Sequence, residues 1–224
     1  MPQLATHLDR TLMIVYIGSA FICHMLSACY HTFKGTDQDG FTAWYRLDLT
    51  GIVVLIAGSN FVGIYNAFHD SPMWILIYNI PLAIMLAMAV FFTNAPAYRG
   101  RKYDEHRTLT LAASVAIGGL PMAHWLFYKC WKQACFDMAA WPTLLLGFCY
   151  GMGFVFFYFR IPECFAPGKF DTYLHSHQWW HVFVFAAAYV WLHGMLGYIT
   201  WRVNLNDAPL PSVLDLQTNI TVPV

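Results

Sequence analysis

The sequence predicts an all-α fold: a polytopic bundle of six membrane-spanning helices. Three observations predict it. Apolar residues make up 58% of the 224 and charged residues only 11%, where a soluble domain carries about 25% charged residues. The charges fall in clusters between long apolar runs. Each of the six runs is about as long as the ~20 helical residues that cross a bilayer core. The formal net charge is zero with histidine neutral, so nothing points to nucleic acid as a partner, and the expected surroundings are membrane lipids.

The spans follow one another as Thr11–Phe33, Leu49–Phe68, Trp74–Phe92, Leu109–Tyr128, Trp141–Phe159 and Gln178–Trp201. Pro81 and Pro121 fall inside spans, which membrane helices tolerate when neighbours satisfy the freed carbonyls. The first span is too long, and too polar near its end, for a cleaved signal peptide. No internal repeat or low-complexity segment interrupts the series. The domain reading is one helix bundle over residues 1–202 and a polar, Pro-containing tail over 203–224.

Lysine and arginine give an orientation. The loops 34–48, 93–108 and 160–177 carry eight of the twelve, and the opposite side carries Arg10, Lys129, Lys132 and Arg202. The positive-inside rule then puts those three loops in the cytosol and both chain ends outside it, in a membrane the sequence does not name. The run Arg99-Gly100-Arg101-Lys102 is either a solvated loop obeying that rule or a contact for anionic headgroups. Cys130 and Cys135 flank a short loop on the outer side, where a disulfide is possible; the alternative is two small apolar residues at a helix end. No C-x-x-C occurs, which argues against a cysteine zinc site.

The most informative stretch is His175-Ser176-His177-Gln178-Trp179-Trp180-His181. His177 and His181 are four apart, hence one turn apart on one helix face, a spacing that lets two imidazoles share a metal. The bland alternative is a pair of interfacial anchors beside two tryptophans. Alternation of helix direction brings His31, Asp48, His177 and His181 to one depth at the cytosolic side. Ser27, four residues before His31, shares the His31 face. Three imidazoles from two helices would leave a fourth zinc position for water, and Asp48 could accept a hydrogen bond from that water or orient a ligand histidine. The competing reading is a buried polar cluster that stabilises helix contacts. His24 falls outside the cluster as a packed or pore-lining residue; His124 and His193 read as interhelical hydrogen-bond partners.

Ser27-Ala28-Cys29-Tyr30-His31 resembles an S-x-x-x-H motif, and Leu47-Asp48-Leu49-Thr50-Gly51-Ile52 resembles an aspartate motif. Arg160-Ile161-Pro162-Glu163-Cys164-Phe165-Ala166-Pro167-Gly168-Lys169-Phe170-Asp171, running into Ser176-His177-Gln178-Trp179-Trp180-His181, is similar to a longer and more specific block. Together these resemble the progestin and adipoQ receptors, also called the hemolysin III-related family, and the last block is closest to their adiponectin receptor branch. The resemblance implies a seven-helix bundle with zinc held by His31, His177 and His181. It further implies that Asp48 reaches the zinc through water and that Ser27 is the motif serine. The family is related to alkaline ceramidases; ceramide hydrolysis has been attributed to some members, and others are named as receptors. One departure stands out: the family has a further helix upstream, whereas only Met1–Arg10 precedes the first span here. The expectation is either a fragment or a chain that dispenses with that helix.

Three functions are compatible with these residues. One is a zinc-dependent hydrolase of a lipid amide, with Asp48 as base and Ser27 stabilising the oxyanion. Asp48 is expected to be the only carboxylate near the water, with Glu163 and Asp171 in an exposed loop. The second is a receptor in which zinc ties the first and sixth helices together and a lipid or protein ligand is sensed on the non-cytosolic side. The third is a haem-carrying electron-transfer bundle.

Overall fold

A computed structural model of the chain describes residues 7–35, 37–95, 98, 103–130 and 133–207. Among them are α1 (His7–Phe33), α2 (Gln38–Phe68), α3 (Pro72–Asn94), α4 (Asp104–His124), α5 (Gln133–Phe159) and α6 (Ser176–Asp207), with a π-helical turn, Trp125–Lys129, continuing α4. All six helices are long and apolar enough to cross a membrane. The protein is an integral, multi-pass membrane protein. Met1–Thr6, the run Arg99-Gly100-Arg101-Lys102 and the tail beyond Asp207 lie outside the described residues.

The order and number of spans match the apolar runs, but every helix begins earlier than its run does, and three of them begin five residues or more earlier. α2 starts at Gln38 rather than Leu49, α4 at Asp104 rather than Leu109, and α5 at Gln133 rather than Trp141. Hydropathy marks the part of a helix that lies in hydrocarbon. It is blind to turns that continue into the interface, where water satisfies polar side chains. Polar groups stand at two of these starts. Asp37 accepts a hydrogen bond from the Gly40 N–H at the start of α2, and Asp104 and Glu105 occupy the first turn of α4, where carboxylates complement the helix dipole. Most of the expected 34–48 loop is therefore helix, and Asp48 sits well inside α2 rather than at its first turn.

α2 is the central helix and packs against α1, α3 and α4; α5 packs along α6. Two glycines explain how closely α1 and α2 approach. A Cβ on Gly51 would stand 3.1 Å from the Cys23 Cα, and one on Gly58 would collide with the Ser19 side chain. Small residues at such crossings let membrane helices gain dispersion contacts that lipid cannot match. Outward-facing side chains such as Ile14, Phe21, Ile84, Leu144 and Phe185 are apolar and exposed, as a bilayer requires. Pro121 lies inside α4, and the helix ends four residues later in the π-helical turn, closed by Cys130 N–H to Trp125 C=O at 2.9 Å. Proline removes an amide donor, and a wider turn close by is a common adjustment of the ladder. Cys130 is disulfide-bonded; the Cys135 side chain, its expected partner, lies outside those described.

α1 and α6 meet at only a few places. Near the middle, Tyr16 stacks on Trp191 with ring centroids 4.4 Å apart and donates its hydroxyl to the Ala188 C=O at 2.7 Å. Towards the far end, Arg202 of α6 pairs with the buried Asp9 of α1 and donates to Asn66 Oδ1 of α2 at 3.4 Å. The third meeting place is the opposite end, where the histidines stand.

Candidate metal centre

His31 lies in the last turn of α1 and His177 and His181 in the first two turns of α6. Antiparallel neighbours thus bring three imidazoles to one end of the bundle. Their Nε2 atoms form a triangle: 3.1 Å from His177 to His31, 3.3 Å from His181 to His31 and 3.2 Å from His181 to His177. The rings are held by aromatic neighbours, His31 against Tyr30 with centroids 5.0 Å apart and His177 against Phe157 at 5.6 Å.

Such a triangle cannot be satisfied by its own protons. If one nitrogen donates to a second, the third still faces a lone pair. A cation at the centre satisfies all three. With zinc–nitrogen bonds of about 2.0–2.1 Å, tetrahedral ligands stand about 3.3–3.4 Å from one another, close to the separations found. These three are the residues of this kind, among those described, that converge tightly enough to hold a metal ion. A convergent triangle is not the pair of opposed axial ligands that haem takes.

The cluster heads a cavity of about 1160 Å³ that runs between the helices as far as Met122 and Trp191. Asp48 and Ser27 line the same cavity. Asp48 is buried. Ser27 Oγ is buried and makes no hydrogen bond of ordinary geometry, with the Asp48 carboxylate the polar group that acts on it. The five residues singled out in the sequence therefore share one end of one cavity. Lys34, Tyr45 and His175 border it there as well.

Glu163 differs from expectation. It is half-buried, not part of an exposed surface, whereas Asp171 is exposed. Its Oε1 accepts hydrogen bonds from the Ser176 N–H at 2.9 Å and the Ser176 hydroxyl at 2.8 Å. Burial pushes the Glu163 carboxyl up, but hydrogen bonds from its own backbone and from Ser176 outweigh it and hold the group below the usual glutamate range. Glu163 thus caps α6 one residue before His177. No local spacing signals a cap thirteen residues upstream; only its place in the long block marked it. The other histidines divide. His24 lines the cavity. His124 takes part in an interhelical hydrogen bond, with Tyr78 Oη 2.7 Å from its Nδ1. His193 lies against Tyr189 of its own helix, ring centroids 4.2 Å apart.

The S-x-x-x-H, aspartate and terminal histidine motifs therefore fall on one spatial site, in the order the sequence carries them, and the Haemolysin-III related family model matches residues 1–192. The chain belongs to the Haemolysin-III related family. It is 30% identical over 201 residues to the rice (Oryza sativa subsp. japonica) "Heptahelical transmembrane protein ADIPOR3", covering 90% of this chain and 50% of that protein. It is 28% identical over 203 residues to the Drosophila melanogaster "Adiponectin receptor protein", covering 88% and 44%. It is also 27% identical over 184 residues to the mouse (Mus musculus) "Progestin and adipoQ receptor family member 3", covering 81% and 59%. This member of the haemolysin III-related family spans about half the length of such relatives.

Proposed function

We propose that this chain is an adiponectin receptor-like membrane receptor that holds one zinc ion through His31, His177 and His181 and hydrolyses a lipid amide at that site. The observation that carries the reading is the triangle of Nε2 atoms, 3.1–3.3 Å on a side, at the head of a mainly apolar cavity. A polar, metal-ligating end and an apolar body suit an amphipathic ligand with a reactive head and a long tail. Receptor function is supported by the names of the relatives.

Zinc held by three neutral histidines supplies Lewis acidity at a carbonyl and acidifies water. The protein's own residues do the rest. The apolar wall receives the tail and excludes bulk water from the head. The Asp48 carboxylate accepts the proton of the attacking water and passes it to the leaving amine. The Ser27 hydroxyl, which stands beside the Asp48 carboxylate, donates to the carbonyl oxygen as charge develops there. With the histidine end on the cytosolic side, as the lysine and arginine bias suggests, the site lies near the depth of lipid linkages, and the amide reaches it without leaving the membrane.

The test is fatty-acid release from ceramide-like lipids in detergent, wild type against Asp48→Asn, with zinc measured in both. The hydrolase reading expects Asp48→Asn to keep the metal and lose most of the rate, because an amide cannot take the proton. Equal turnover in the two proteins would remove Asp48 as base. An absence of turnover, with Asp48→Asn changing only metal affinity or thermal stability, would favour a structural zinc. That second reading draws on the sparse packing of α1 against α6, which a shared ion would tie together.

A further inference from the structure

We propose that Lys34 forms an anion subsite at the mouth of the cavity, and that the lipid amide held there carries a carboxylate or sulfonate on its amine side, as an N-acyl amino acid does. The proposal rests on the lipid-amide reading given above and names a substrate class for the same site.

Among the described residues, Lys34 is the only lysine or arginine that lines the cavity. It stands three residues after His31, about 4.5 Å further along the α1 axis and away from the apolar body of the cavity. Its backbone N–H donates to the Tyr30 C=O at 2.9 Å. The helical turn therefore carries on through Lys34 and sets its side chain on the face of Tyr30 and His31. Nζ lies 6.0 Å from the centroid of the Tyr30 ring, and the lysine charge is felt at both His31 and His177. The residue is exposed, so a ligand in the mouth can reach it.

No carboxylate claims this ammonium. Lys34 makes no ion pair among the described residues. Asp37, three residues on, accepts from the Gly40 N–H, and Asp48 acts with Ser27 and His31 instead. Tyr45, also at the mouth, gives its hydroxyl to Asp104 at 3.3 Å. The cavity itself decides which end of an amide faces Lys34. The acyl tail takes the apolar body and the carbonyl takes the histidine end, so the amine side is left at the mouth. A neutral alcohol there leaves the ammonium to water. An anion there pairs with it beside low-dielectric walls, where attraction exceeds that in open water. A bare fatty acid would instead put its charge at the histidine end. Lys34 is thus a specificity-determining residue for amides with an acidic amine portion.

The experiment measures binding, not turnover, on the purified full chain by calorimetric titration in an uncharged detergent. The probes carry methylene in place of the amide nitrogen, so none is consumed. They are 4-oxononadecanoate, 4-oxononadecane-1-sulfonate and 1-hydroxynonadecan-4-one, the counterparts of N-palmitoylglycine, N-palmitoyltaurine and N-palmitoylethanolamine. Wild type should bind both anions about fivefold more tightly than the alcohol. Lys34→Gln should bind all three alike, and Lys34→Arg should keep the preference. Equal affinities in wild type, or a preference undiminished in Lys34→Gln, overturn the subsite alone. A preference confined to the carboxylate does the same, since a carboxylate that ligates a metal needs no lysine and a sulfonate ligates poorly. Failure of all three probes to bind wild type overturns the lipid reading of the cavity and the subsite with it.

Discussion

His31 Nε2 and His177 Nε2 lie 3.1 Å apart although 146 residues separate them. Neither helix alone makes this site. α6 supplies two nitrogens and α1 the third, so anything that shifts one helix against the other by an ångström alters the triangle.

Metal content follows from this arrangement. Purified protein should hold about one zinc per chain by elemental analysis. His177→Ala or His181→Ala should lose most of it, because two remaining imidazoles make a weak open site. His24→Ala, outside the triangle, should retain it. Full zinc in a His177→Ala, His181→Ala double variant would sink the assignment.

Glu163 makes α6 sensitive to acid. Its folded-state pKa is held below the usual value by hydrogen bonds, so its contribution is fully present above about pH 4.3, the unfolded glutamate value, and is lost as pH falls through the lower folded value. The melting temperature of wild type should therefore drop more steeply below about pH 4 than that of Glu163→Gln. At neutral pH, Glu163→Ala should cost about 1 kcal/mol, the usual loss for a helix cap. Parallel pH profiles for wild type and Glu163→Gln would mean that the cap carries no charge-dependent energy.

The far end of the bundle depends on a different pair. Asp9 is buried, and Arg202 reaches it from α6. Arg202→Met deprives a buried carboxylate of its cation and should destabilise the fold by about 3 kcal/mol. The double variant Asp9→Leu, Arg202→Met should recover most of that loss, since removing both charges also removes their desolvation. Thermal unfolding in detergent reads both. A double variant as unstable as the single one would show that the pair matters through packing and not through charge.

Sidedness is tested by reporters. Six spans with the 34–48, 93–108 and 160–177 segments in the cytosol put a reporter fused after Val224 on the non-cytosolic side. Asn219-Ile220-Thr221 is a glycosylation sequon in that tail, although its nearness to the end makes modification inefficient. A cytosolic reporter would invert the arrangement, and termini on opposite sides would mean a miscounted span.

The sequence by itself determined the class, the six spans and the identity of the clustered histidines. Apolar runs of bilayer length have one economical solution, since hydrocarbon offers no partner to backbone N–H and C=O groups. The alternation of those runs then fixes depth, which is why His31, Asp48, His177 and His181 fall at one level on the sequence alone. Where the helices begin was not legible, because caps such as Asp37 act beyond the reach of hydropathy. Depth is also only one coordinate of three. That the three Nε2 atoms close to 3.1–3.3 Å depends on how α1 and α6 turn about their axes. Packing sets that rotation: Gly51 and Gly58 let α1 seat against α2, and Tyr16 meets Trp191 across to α6. The cap that Glu163 places on α6 and the unpaired Nε2 of His24 are likewise tertiary facts. Each depends on a side chain meeting, or failing to meet, a partner outside its own stretch of chain, and spacing along a sequence carries no record of that.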